Sequence, residues 1–221
     1  MDCPKTCSER PKVRKTSVET SRSFGVTLVN GSYQAVLQTC LFIGACDDSQ
    51  SLTKANDLES FLGLSGNELS NLSVVEGSAI KQTITANAGD VFSFSWNFLT
   101  DEDATNVDYN DFAFFTLNNT LYRLADIKSS FPVNPSFSHL KKETGYQTYT
   151  IPISVTGNYI LGFGVVDVDK TGGGDNTINS ALLVDNIKLT NNSEVAKVPE
   201  PDTLLGLLLT MGLASKCKRQ N

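Results

Sequence analysis

Val91-Phe92-Ser93-Phe94-Ser95-Trp96-Asn97-Phe98-Leu99 decides the fold class. Phe92, Phe94, Trp96 and Phe98 alternate with Ser93, Ser95 and Asn97, and a period of two is the mark of a strand with one face in a hydrophobic interior. Tyr149, Ile151, Ile153 and Val155 repeat the pattern around Thr150, Pro152 and Ser154. Pro152 cannot donate to a ladder, so that strand belongs at an edge or starts there.

Outward from these two strands, the alternation continues in Thr27 to Leu37, Ser78 to Ala86, Asp111 to Leu117, Tyr159 to Val168 and Ala181 to Leu189. Turn chemistry separates them at Asn30-Gly31, Ala88-Gly89-Asp90, Thr156-Gly157-Asn158 and Thr171-Gly172-Gly173-Gly174-Asp175-Asn176. One helix is expected, over Leu52 to Leu64, where Leu58, Phe61 and Leu62 share a side; it is expected to plug one end of the fold. Many short strands and almost no helix point to an all-β protein, a two-sheet antiparallel sandwich such as a jelly roll. The expected organisation is an atypical N-terminal segment over 1–23, one β domain over 24–190, a polar linker over 191–197 and a tail over 198–221.

The chain of 221 residues carries a formal charge of −6 and a pI near 4.8. The acidic body offers no basic stripe for phosphates, which argues against a nucleic-acid partner. Lysine and arginine gather instead at the ends: Lys5, Arg10, Lys12, Arg14, Lys15 and Arg22 in front, and Lys216, Lys218 and Arg219 behind. Such an asymmetry reads as membrane addressing. Cys3, Cys7, Cys40, Cys46 and Cys217 have no metal-ligand spacing. Cys40 and Cys46 either bridge in an oxidising compartment or stand as two small residues beside a first strand.

Catalytic chemistry has little to start from. His139 is the single histidine, flanked by Ser138, Leu140 and Lys141, and no nucleophile with a neighbouring base is recognisable. The glycines at 172–174 open no helix and end in no lysine-serine pair, so they form no phosphate loop. Two acidic loops stand out, one with Asp101, Glu102, Asp103, Asp108 and Asp111, the other with Asp167, Asp169 and Asp175. The second begins like an EF-hand and then places Ile178 where a bidentate glutamate is required.

The tail carries the most specific signal. Val198, Pro199, Glu200 and Pro201 come first, an apolar run from Leu204 to Ala214 broken by Thr210 comes next, and Lys216, Lys218 and Arg219 close it. Prolines keep the first part extended, the leucines favour a helix in lipid, and the basic cluster would stay cytoplasmic with the β domain across the membrane. About 11 apolar residues make a helix of roughly 16 Å against a hydrocarbon core of roughly 30 Å, shorter than a full span. An apolar helix docked on the domain would leave both the Pro-Glu-Pro strip and the basic end without a reason.

The order of these three parts resembles the PEP-CTERM sorting signal of exopolysaccharide-producing bacteria. That resemblance implies export, a membrane intermediate through the C-terminal helix, and an exosortase-like processing enzyme as partner. The body, through Phe24 to Ala35, Leu58 to Leu64, Glu76 to Gln82 and Ser180 to Ile187, is similar to cyanobacterial PEP-CTERM proteins. Those bodies imply a galactose-binding-like jelly roll akin to carbohydrate-binding modules. By the same resemblance Asp185 would sit beside a structural calcium; Glu76, before the first long core strand, is the candidate for a second carboxylate. Strand parity puts Asp185 with Ala181, Leu183, Ile187 and Leu189 on the core side, where a carboxylate needs a metal, a cation or hydrogen bonds from backbone amides.

An exported protein needs a signal sequence, yet residues 1–23 hold no apolar core. Either the true start lies upstream, or Ala35 to Ala45 is a late signal core. In the second case Ile43-Gly44-Ala45-Cys46 resembles a lipoprotein box and Cys46 would be the anchor. Two function classes therefore stand: a sorted, non-enzymatic surface protein whose sandwich is passive or adheres to extracellular polysaccharide, and a carbohydrate-binding module with a ligand groove. Exposed rings discriminate them, with Tyr109, Tyr122 and Tyr146 as the candidate platforms and Trp96 assigned to the core.

Overall fold

The structure, a computed structural model, describes residues 17–19, 26–39, 53–105, 107–136, 140–171 and 179–191. Eleven strands are assigned among them: β1 Ser17–Glu19, β2 Gln34–Gln38, β3 Thr53–Lys54, β4 Val74–Ala86, β5 Val91–Thr100, β6 Phe112–Leu117, β7 Thr120–Asp126, β8 Lys142–Glu143, β9 Gln147–Pro152, β10 Gly157–Val168 and β11 Ser180–Thr190. The one α-helix among the described residues is α1, Ala55–Leu62. Every pairing is antiparallel, so the all-β expectation holds with one short helix.

The strands form two sheets. A six-stranded sheet runs β1-β2-β11-β5-β8, with β9 also on β5, and a five-stranded sheet runs β3-β4-β10-β6-β7. Their apolar faces meet, giving a sandwich-like arrangement. The quoted aromatic strand shows why: Phe94 of β5 lies 5.3 Å from Phe115 of β6 and 4.8 Å from Phe163 of β10, ring centre to ring centre and edge on. Phe92, Phe94, Trp96 and Phe98 are all buried, as the alternation requires. Pro152 pairs only with Val91, at the edge where a residue without an N–H belongs.

The helix departs from expectation. It does not plug an end but covers the outer face of the five-stranded sheet, where Leu58 and Leu62 pack with Leu69, Ala79, Phe112, Phe114 and Val166. Two glycines of β10 make room for this layer. A Cβ on Gly162 would come within 2.6 Å of Leu62 and 2.4 Å of Thr116, and one on Gly164 within 2.3 Å of the Phe114 ring. Gly63, at φ +76, ends the helix and its N–H returns to the Glu59 carbonyl. An eight-residue helix is too short to persist alone, so this packing, with Lys81 Nζ donating to the Phe61 carbonyl, holds it.

The outer face of the six-stranded sheet carries a smaller apolar cluster of Val26, Val36, Leu99, Leu140, Ala181 and Leu183. Residues 26–33 cross this face without strand structure, so the strand expected from Thr27 shortens to Gln34–Gln38.

Candidate functional site

Much of what the sequence singles out lies outside the described residues: the tail with Val198, Pro199, Glu200, Pro201, Lys216, Lys218 and Arg219, together with Cys46 and His139. The expected C-terminal apolar helix, Leu204 to Ala214, falls outside them too. Among the described residues no helix is long and apolar enough to cross a membrane. One N-terminal alternative meets the fold directly. A signal core over Ala35 to Ala45, cleaved before Cys46, would remove β2, whose Val36 and Leu37 are buried and whose backbone pairs with β11.

Asp185 is buried, but on the other face from the one parity assigns. Leu182 and Val184 enter the core between the sheets, which leaves Ala181, Leu183 and Asp185 facing outward. A bulge between Asp185 and Lys188, with Asn186 at φ +53, then resets the parity so that Leu189 turns inward. The carboxylate is satisfied by backbone amides. Oδ2 accepts the N–H groups of Val29 at 2.7 Å and Asn30 at 3.0 Å, and Oδ1 that of Asn186 at 2.6 Å.

Glu76 is not its partner. It lies on β4 of the opposite sheet, across from Asp167 and Lys54. Ser180 lies at that acidic end, close to Asp111, and Asp185 is farther along β11 by about 16 Å at strand rise. Distance along the strand therefore separates Asp185 from Glu76. Among the described residues no group of three or more His, Cys, Asp or Glu side chains could hold a metal ion.

The two acidic loops do come together. Lys170 N–H donates to the Asp108 carbonyl at 3.1 Å, Lys170 Nζ to the Val107 carbonyl at 2.8 Å, and the Tyr109 and Thr171 hydroxyls are 3.0 Å apart. Beneath them Asp111, 1 % exposed, accepts the Val168 N–H on Oδ1 at 3.0 Å, while its buried Oδ2 has no hydrogen-bond partner. Burial first, then the charges of Asp167 and Glu102, push the Asp111 carboxyl well above the usual carboxylate range. At the exposed rim the opposite holds: the Thr105 backbone N–H and hydroxyl hold Asp103 below its ordinary value.

A cleft of about 180 Å³ opens between the sheet edges, lined by Phe115, Leu117, Tyr122, Tyr149, Ile151 and Pro152. Tyr122, 39 % exposed, stacks on Phe115 at 4.8 Å with the rings 9° from parallel, and Tyr149 lies 4.6 Å from Phe115. Of the three candidate platforms, Tyr122 is thus the one at a groove. Tyr109 is engaged with Thr171, and Tyr146 packs against the outer apolar cluster and donates to Gln34 Oε1. Tyr149 is an addition, hidden in the sequence because parity assigned its face to the core.

No family model matches this chain, and no curated protein matches it.

Proposed function

We propose that this is an exported, non-enzymatic β-sandwich protein, delivered to the cell envelope or surface through its C-terminal tail. The observation that carries the reading is the linear order of that tail: Val198-Pro199-Glu200-Pro201, the apolar run Leu204 to Ala214, then Lys216, Lys218 and Arg219. Each part has a physical task. An extended strip beyond the domain is open to a processing enzyme, a short leucine-rich helix enters lipid, and basic residues hold their end on the cytoplasmic side. The partner would be an exosortase-like enzyme, and the body a jelly roll of the galactose-binding-like kind. Membrane retention with and without Val198 to Asn221 tests it.

A second reading, a carbohydrate-binding module, draws support from the cleft. Tyr122 and Tyr149 give a sugar ring apolar faces to lie on, with Thr150 at the rim as a polar contact. The two readings are compatible, since a sorted protein whose sandwich touches extracellular polysaccharide is both.

A further inference from the structure

The acidic end of the fold contains a carboxyl group whose surroundings suit a proton better than a charge. Asp111 immediately precedes β6 and ties it to the end of β10 through Val168 N–H at 3.0 Å, across 57 residues of chain. Its second oxygen is buried with no partner, and an ionised oxygen left so is among the costliest groups a fold can hold.

The groups around it deepen the cost. From β10 comes Asp167, itself opposite Glu76 on β4, and from the segment after β5 comes Glu102, also 1 % exposed. From β11 comes Ser180, whose hydroxyl donates to Thr100 Oγ1 at 2.8 Å; its side chain, beside Asp111, favours the ionised carboxyl but is outweighed by burial and the two charges. The nearby cations have other partners: Lys142 Nζ donates to the Glu102 carbonyl at 2.6 Å, Lys141 pairs with Asp101 at 2.9 Å, and Lys170 reaches Val107. A metal ion would need a converging donor set, and the described acidic, histidine and cysteine side chains form none. A proton on that oxygen removes the charge without any such set.

We propose that Asp111 is a proton-operated latch: with a proton on Oδ2 it fastens the two acidic loops at this end, and losing that proton to solvent at higher pH sets it against Asp167 and Glu102 and loosens the joint. The sign follows from linkage. The unfolded side chain releases its proton near 3.8, the folded one higher, so the latch's stabilisation is whole below 3.8 and is lost as pH rises through the folded value.

The test is thermal unfolding of the full chain between pH 4 and 8, wild type against Asp111→Asn, followed by Trp96 fluorescence. Asn is neutral at every pH, so between pH 4 and pH 8 the variant should gain roughly 3 °C or more in melting temperature relative to wild type. Parallel curves, or a variant less stable by a constant amount, would overturn the latch. Should the variant not fold, hydrogen exchange of the Val168 amide in wild type decides: protection beyond the intrinsic base-catalysed rate should fall as pH rises, and constant protection overturns the proposal. Adding millimolar calcium should leave the wild-type curve in place. A calcium-induced rise that Asp111→Asn abolishes would assign a cation here and refute the proton.

Discussion

Asp185 Oδ2 accepts the Val29 N–H at 2.7 Å across 156 residues of chain, pinning the segment before β2 to the bulge in β11. The same oxygen takes the Asn30 N–H, so one carboxylate fixes the entry to the Asn30-Gly31 turn. Asp185→Ala would remove the charged acceptor of three partly buried amides, and a loss of about 1–3 kcal/mol is expected from bonds of that kind. Denaturant unfolding of the full chain, read by Trp96, measures it. A loss no larger than that of an exposed surface substitution would mean that water replaces the carboxylate.

Gly164 is where β10 and Phe114 approach most closely. A methyl group there would meet the ring at 2.3 Å, so Gly164→Ala should cost about 1–3 kcal/mol through forced displacement of Phe114 or of α1. The ring is the cause, so in a Phe114→Leu background the same substitution should cost measurably less. Equal costs in the two backgrounds would place the strain elsewhere.

How far this structure is legible in the sequence depends on how local each cause is. The aromatic strand declares itself because a period of two survives whatever it packs against, and Pro152 marks an edge by its missing N–H. β7 escaped because it is an edge strand in which Ala125 is the buried residue, leaving no apolar alternation to read. The parity of Asp185 misled because a bulge inserts residues that no pattern announces. Nor does the sequence say that α1 lies on a sheet face, since that rests on glycines in β10, a hundred residues later. The sorting role proposed for the tail rests on a linear order that needs no fold to be seen, whereas the meeting of Asp111 with Val168 exists only once the sheets have formed.

Tyr146 supplies an alkaline test. Burial first, then the charges of Asp185 and Glu143, raise its phenol above the ordinary value of 10.0. The folded state therefore keeps this proton where the unfolded chain loses it. Its contribution is whole below 10.0 and declines as pH rises beyond. Tyr146→Phe, which also forfeits the bond to Gln34, should be less stable than wild type at pH 8 and should lose less stability between pH 10 and 11. Identical alkaline slopes in thermal unfolding would count against a shifted phenol.

The cleft can be tested apart from the tail. If Tyr122 and Tyr149 form a sugar platform, the full chain should be retarded in affinity electrophoresis through polysaccharide from a host that makes it. Tyr122→Ala should weaken that retardation severalfold at temperatures well below unfolding, with a modest fall in melting temperature from the lost stacking on Phe115. Retardation that persists undiminished would move any sugar contact away from this groove.

The most direct measurement is cell fractionation in a host that carries exosortase-type sorting, comparing the full chain with one ending at Lys197, both behind the same export signal. The full chain should be found in the membrane fraction or as a processed surface product, and the shortened chain should be released. Replacing Pro199, Glu200 and Pro201 together should leave the chain in the membrane but unprocessed, with the mass of the uncut form. Unchanged membrane retention after loss of Val198 to Asn221 would contradict the sorting role of the tail.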